Sequence, residues 1–419
     1  MEISTKNQLL WKYTRSAFIW TRILGTPFWV MINMLTFILY KDLHITPLQI
    51  TAIVALKPMS SLLAPYWSQF IYQKPELISS NLVLANIFRY LPFLMIPWIN
   101  SSWFIIAAFG IYMVLHRAVI PGWVEMLKRN LPETTQERFI GYGSTIDYCG
   151  NAVMTMGLSL ILDSFPFAWK WLFPLMAILG LISTLFLLRL PTIPHLKQEN
   201  RPRRDRLTFS KVKSIFLNPW RRSWELIKER RDFAHYQIGF MLGGAGLMIM
   251  QPALPIFFVD TLNLSFVEMG LALALCKGIG VAFTSPIWTK LFRKIDICRF
   301  SGWVTFIAVF FPLLLLFSPL NLNVLYFAYI LYGVMQAGSE LSWHMSGIIF
   351  SKERESSAFS STNVLTVGIR GCLIPILGAL LLSYFNSISV MLIGASLSLI
   401  ATVYLIMPRR SLVAATNEI

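Results

Sequence analysis

Charged side chains are scarce in this chain. Asp, Glu, Lys and Arg make up 13% of 419 residues, against 56% hydrophobic residues and a mean hydropathy of +0.61. No soluble globular domain of this length needs so apolar a composition, so the sequence reads as an integral membrane protein. Cysteine is scarce too. Cys149, Cys276, Cys298 and Cys372 fall within or beside apolar runs with no CxxC or CxH spacing, which argues against a disulfide framework and against a metal site. HExxH, GxSxG and paired acidic metal motifs are missing, so neither an enzyme nor a cofactor is expected. The first apolar run is too long, and too poor in a cleavage site, for a removable leader.

Negative charge is the scarcer sign. Lys and Arg number 36 against 20 Asp and Glu, a formal net charge of +16. Nucleic acid could attract such a chain, but the distribution of charge explains the excess better, and no nucleic-acid partner is expected. Residues 191–231 are the one long hydrophilic interval, with twelve Lys or Arg against Glu199, Asp205, Glu225 and Glu229. Twelve apolar runs, each of the length needed to cross about 30 Å of hydrocarbon, flank it six and six. With the N-terminus inside, 28 of the 36 basic residues are cytoplasmic, Lys41 and Lys170 lie at the outer face, and six lie within spans. That bias predicts cytoplasmic N- and C-termini. The compact loops suit a bacterial inner-membrane carrier, and the sequons at Asn100 and Asn263 lie too near the membrane to argue for glycosylation.

The runs fall at about 16–40, 46–70, 79–98, 102–127, 138–162, 167–190, 233–259, 266–290, 299–318, 323–348 and 357–384, and a twelfth ends at Pro408. Lys57 precedes Pro58 in the second, where the freed carbonyl needs a protein or water partner. Asp147 and Asn151 lie one turn apart, Gln336, Glu340 and His344 form a stripe at i, i+4 and i+8, and Asn363, Thr366 and Arg370 share a face. The GGAG run at Gly243–Gly246 reads as a flexible point. In the basic interval, Phe209, Val212, Ile215, Phe216, Trp220 and Trp224 recur at helical spacing, as in an amphipathic segment on the inner leaflet, with Pro219 expected to break it in two. A connector that only sets topology is the plainer alternative.

By position, Lys57, Arg89, Arg117, Lys277 and Arg370 lie near the midplane and Arg22 somewhat inward, against Asp147, Glu340 and, close to the inner boundary, Glu125. A charge at the centre of a lipid-facing helix costs at least about 2.5–3.5 kcal/mol, so these side chains should face the protein interior or a wet cavity. Three carboxylates cannot neutralise six cations. Either some basic groups are uncharged or the interior awaits an anion, for which arginine offers a fork and lysine a point charge. Lys57, Lys277, Arg370, Arg22 and Arg117, with Trp123 and Trp343, are the candidate substrate ligands. Asp147, Glu340, His344 and His116 are the candidates for coupling or gating, since imidazole titrates near neutral pH. Ion pairs that merely lock helices together are the alternative role.

Sliding the second half back by 220 positions without a gap superposes Lys277 on Lys57, Lys294 on Lys74, Pro312 on Pro92, Tyr332 on Tyr112, Trp343 on Trp123 and Phe359 on Phe139. The lysines carry the weight, because a charge inside an apolar run rarely coincides with another. Residues 1–190 and 232–419 thus read as two pseudo-symmetric six-helix bundles joined by the 191–231 linker, an all-α membrane fold of twelve helices. This plan resembles the major facilitator superfamily of secondary transporters. RGCLIPILG at 370–378 and Arg117 with Gly122 are similar to family patterns, whereas SQFIYQKPE at 68–76 and TKLFRKIDI at 289–297 keep little of its Gly-rich turn. The resemblance implies a cavity between the halves in which Lys57 approaches Arg370, two cations sharing an anion, and Asp147 approaches Lys277, an ion pair that forms and breaks.

The resulting expectation is a transporter of a small organic anion working by alternating access in the bilayer, with a coupling proton or counter-substrate. An efflux carrier for amphiphilic compounds, and a sensor or scaffold that no longer transports, are the alternatives.

Overall fold

The computed structural model describes residues 2–63, 66–67, 77–131, 133–190, 209–351 and 356–407. SQFIYQKPE at 68–76 and residues 191–208 of the basic interval lie outside the described residues. All regular structure among the described residues is helical: α1 (Glu2–Leu43), α2 (Pro47–Leu62), α3 (Ile78–Tyr90), α4 (Ser102–Asn130), α5 (Glu133–Ser164), α6 (Trp169–Ile182), α7 (Phe209–Glu229), α8 (Arg231–Ile249), α9 (Lys277–Phe292), α10 (Ile297–Phe317), α11 (Leu322–Ser351), α12 (Ser356–Tyr384) and α13 (Ser387–Ile406), with shorter turns between them. Nine helices among the described residues are long and apolar enough to cross a membrane. The expected second, fifth and tenth spans fall short of that measure. Helix α2 is 16 residues long and runs towards undescribed residues. Helices α5 and α11 are long enough, at 32 and 30 residues, but carry Asp147 and Asn151, and Gln336, Glu340 and His344.

The chain forms two compact units, residues 1–218 with 258–275, and residues 219–257 with 276–419. In the first, His44 turns the chain at φ 46° and Thr46 starts α2 with a capping box in which its backbone N–H donates to Gln49 Oε1 at 2.9 Å. Pro47 sits at the first helical position, where its missing N–H costs nothing. The core is aromatic around Phe28, whose ring meets those of Phe93 at 4.8 Å, Tyr112 at 4.9 Å and Tyr90 at 5.0 Å. All four rings are buried. Packing of this kind adds about 0.5–1.5 kcal/mol per pair beyond the area removed from solvent.

In the second unit, small residues bring helices together. A Cβ on Gly246 of α8 would collide with the Gly394 carbonyl and Ser398 of α13, and one on Gly243 with Thr305 of α10. The GGAG run is therefore a close-packed helical face rather than the flexible point expected from composition, since glycine in a membrane helix serves backbone approach as readily as bending. Helix α7 also departs from expectation. It runs unbroken from Phe209 to Glu229 through Pro219, because the proline removes one rung of a ladder whose neighbouring turns keep theirs. Its Leu226 and Ile227 pack on a buried cluster of Phe233, Tyr236, Ile297, Phe350 and Phe359, and Thr362 donates to Ser223 at 3.0 Å. Trp224 on the same helix stays 60% exposed.

Candidate functional site

In the first unit the intramembrane cations lie on four helices. Arg22 of α1 donates to Asp147 of α5, and its guanidinium rests 4.5 Å over the Phe18 ring. Phe18 in turn meets Trp123 edge-on at 5.4 Å. Asn151, one turn beyond Asp147, donates to the Asp147 carbonyl at 2.8 Å. Lys57 on α2 places its ammonium 5.1 Å over the Trp29 ring and 3.4 Å from Asn33 Oδ1. The indole of Trp29 stacks on His116 at 4.8 Å, and His116 stacks on Tyr112 at 5.6 Å.

Arg89 of α3 is buried beside this stack. It donates to Asn86 Oδ1 at 2.5 Å and to the Tyr90 hydroxyl at 3.0 Å, with His116 Nδ1 at 3.5 Å. Arginine has no acceptor, so this contact is a hydrogen bond only in the tautomer whose Nδ1 accepts. Asn86 fixes the arrangement by donating to Thr184 Oγ1 at 2.8 Å and to Gly180 O and Ser183 Oγ at 3.2 Å. Arg117 of α4, one residue beyond His116, is half-buried, and its Nε finds no hydrogen-bond partner among the described residues. Glu125, towards the inner end of α4, accepts from Arg129 at 2.5 Å.

In the second unit, Lys277 begins α9 with its ammonium 5.3 Å over the Tyr332 ring. Both lysines of the 220-residue repeat therefore rest on an aromatic face, an arrangement that holds a cation without neutralising it. The stripe on α11 is real. Gln336 donates to Glu340 Oε1 at 2.8 Å, and His344 Nδ1 lies 2.7 Å from the Glu340 carbonyl. Arg370 of α12 is 8% exposed, donates from Nη1 to the Phe240 carbonyl at 2.8 Å and lies over the Phe240 ring at 5.5 Å. It fits because Gly244 leaves room: a Cβ there would coincide with the guanidinium. Trp343 tilts against Phe240 at 5.9 Å.

The structure brings Lys57, His116, Arg89 and Trp29 into one cluster, Arg22, Asp147, Phe18 and Trp123 into a second, and Arg370, Phe240 and Trp343 into a third. Sequence reading missed two buried polar networks. Asn86 lies three residues before Arg89, a helical spacing that could have suggested the pair. Gln237 of α8 donates to Asn363 of α12, Asn363 donates to Ser346 of α11, and Thr366 donates to Gln237 Oε1 at 3.2 Å. Local spacing gives only the shared face of Asn363 and Thr366, because the other members come from two further helices. Among the described residues, no group of three or more His, Cys, Asp or Glu is placed to hold a metal ion.

A family profile described as the Major Facilitator Superfamily matches residues 18–369. No curated protein sequence matches the chain. Solved structures resemble it at low identity. The nucleoside transporter NupG superposes with a TM-score of 0.70 at 15% identity, over 94% of this chain and 98% of that one. A POT family transporter in complex with 5-aminolevulinic acid gives 0.71 at 12%, over 93% and 94%. A bacterial homologue of the human lysosomal transporter Spinster, inward-facing and unoccupied, gives 0.65 at 12%, over 95% of each chain.

Proposed function

Because the chain belongs to the Major Facilitator Superfamily, we propose that this multi-pass integral membrane protein is a secondary active transporter that moves a small organic anion by alternating access. The observation that carries the reading is the surplus of intramembrane positive charge. Arg89, Arg117, Lys277 and Arg370 take part in no ion pair among the described residues, while Asp147 is engaged by Arg22 and Glu125 by Arg129. Glu340 acts on Lys277 without forming an ion pair with it, and cations retained at that depth in excess of the carboxylates favour an anionic partner that arrives from outside the fold. Lys57, Lys277, Arg370 and Arg117 are assigned to the anion, with Trp123 and Trp343 shaping its surroundings. Arg22 is assigned to a partner exchange with Asp147, and Glu340, His344 and His116 to proton or counter-substrate coupling. The same reading takes the expected spans as two pseudo-symmetric six-helix halves in a bacterial inner membrane with cytoplasmic termini.

The test is thermal stability of the purified protein against anionic, neutral and cationic metabolites, beside Lys57→Ala, Lys277→Ala and Arg370→Ala. A ligand that binds only the folded state raises its stability, by about 2.7 kcal/mol at a hundredfold excess over Kd. Stabilisation by an anion that vanishes in the variants is the expected result. Stabilisation by cations or neutral amphiphiles alone, unchanged in the variants, would replace this reading with efflux of amphiphilic compounds.

A further inference from the structure

Residues 220–229 of α7 belong to the second unit and are held by one side of the helix. Leu226 and Ile227 pack on a cluster that contains Phe233 near the start of α8, Ile297 at the start of α10, Phe350 at the end of α11 and Phe359 near the start of α12. The buried Ser223 on the same side accepts from Thr362 of α12 at 3.0 Å. Helices α8, α10 and α12 are long and apolar enough to cross a membrane, and only Arg230 separates α7 from α8. This part of α7 therefore lies at the ends of the spans, the depth of the lipid headgroups.

The uncovered sides differ in chemistry. Turning about 100° per residue from Ser223 puts Trp220, Trp224 and Lys228 at about 60–140°, and Arg221, Glu225, Glu229 and Arg222 at about 160–260°. The first group is a flank at right angles to the anchored side, where Trp220 is 36% and Trp224 60% exposed. The second is wholly polar and exposed, with Arg221 donating to Glu225 at 2.8 Å. Both carboxylates thus lie on the polar side. The charge on the flank is Lys228, whose ammonium rests 5.2 Å over the Trp224 ring and is not neutralised there. Indoles with a lysine stem beside them suit a headgroup region, since both have an apolar body and a polar end.

We propose that the Trp220, Trp224 and Lys228 flank of α7 is a docking surface for anionic phospholipid, with the indoles entering the headgroup layer and Lys228 meeting lipid phosphate. Charge selects the lipid. The flank carries no carboxylate, residues 191–231 hold twelve Lys or Arg against four Asp or Glu, and each basic residue near an anionic leaflet adds an attraction that a zwitterionic one does not supply. Docking also bears on the core, because Ser223 ties α7 to Thr362, about two turns before Arg370 on α12. The surface requires a membrane protein and is independent of the solute it carries.

The experiment is hydroxyl-radical oxidation of the full chain in nanodiscs of phosphatidylcholine, with and without phosphatidylglycerol. Oxidation of Trp224 is followed on its peptide by mass spectrometry, and the ratio of the two rates is compared between variants. Phosphatidylglycerol should slow the oxidation. Lys228→Gln should reduce that protection about fivefold, the population change that about 1 kcal/mol per basic residue at an anionic surface produces, and Lys228→Arg should keep it. Glycerol 3-phosphate added to the phosphatidylcholine discs supplies the charge without the chains and should not protect. Trp171 of α6, 67% exposed in the first unit, reports any general change in the discs. Protection of Trp224 by phosphatidylglycerol that falls in Lys228→Gln, with Trp171 unchanged, supports the docking surface. No protection, equal protection in Lys228→Gln, equal slowing at Trp171, or protection by glycerol 3-phosphate overturns it.

Discussion

Arg22 and Asp147 form the one ion pair among the described residues that joins two helices of the first unit, and a glycine makes it possible. A Cβ on Gly143, one turn before Asp147, would stand 2.9 Å from Arg22 Nε. Both side chains are about a third to two-fifths exposed, at 32% and 43%, so the pair is intermediate between a surface bridge worth about 0–1 kcal/mol and a buried one whose breakage costs about 3–5 kcal/mol. Asp147→Asn alone should lower the midpoint of thermal unfolding, because it strands Arg22. Replacing both with apolar residues of similar size should recover most of the loss. A double-mutant cycle with coupling below about 0.5 kcal/mol would show that the two residues do not act together.

Arg370 and Gly244 should be coupled in the opposite sense. Gly244→Ala places a methyl where the guanidinium lies, forcing Arg370 off the Phe240 carbonyl and leaving a buried charge with poorer partners. We expect a loss of about 2–4 kcal/mol, within the range for stranded buried charge and overpacking. In an Arg370→Ala background the same methyl enters vacated space, so Gly244→Ala should then cost nothing and gain up to about 1 kcal/mol of helix propensity. Equal costs in both backgrounds would rule out the contact.

Much of this arrangement is legible in the sequence. The ungapped repeat singles out Lys57 and Lys277, and the structure gives each the same kind of partner, the face of Trp29 or Tyr332. The stripe of Gln336, Glu340 and His344 is likewise a local fact, since residues four apart on a helix are neighbours. What the sequence could not supply is direction across helices. Periodicity puts Arg370 on a face with Asn363 and Thr366, but it is the space at Gly244, far earlier in the chain, that admits the guanidinium to α8. Tyr40 and Asp260 are 220 positions apart, the same offset that aligns the halves, and no pattern of apolar residues marks their contact. Glycine misled in the GGAG run because composition does not distinguish a hinge from a close-packed face.

The Gln237, Asn363 and Ser346 network predicts a penalty that depends on which partner is removed. Asn363→Leu leaves the buried Gln237 amide without its acceptor and should cost about 1–3 kcal/mol. Gln237→Leu with Asn363→Leu removes donor and acceptor together, and should be more stable than Asn363→Leu alone. Chemical denaturation of the three variants in one detergent decides it. A double variant that is worse than either single would mean the amides are packing elements rather than hydrogen-bond partners.

Two glycines two residues apart on α9 should respond with opposite sign. Around Gly278 a Cβ meets nothing within 4 Å, so Gly278→Ala gains helix propensity, about 1 kcal/mol at most, without a clash. A Cβ on Gly280 would run into the carbonyl of Ile330, and one on Gly333 into the carbonyl of Lys277, so α9 and α11 touch backbone to backbone at this point. No side chain can swing away to relieve that contact. Gly280→Ala must therefore separate the helices, at about 1–3 kcal/mol. Separation also matters for charge. Lys277 lies on the turn that would move and Tyr332 on the helix it would leave, so a shift there takes the ammonium off its ring. We expect the unfolding midpoint to fall in the order Gly278→Ala, parent, Gly280→Ala, with any anion-dependent stabilisation retained in the first variant and reduced in the last. Equal midpoints for the two variants would mean that the helices do not meet at Gly280 and Gly333, and would remove the reason Lys277 is held where it is.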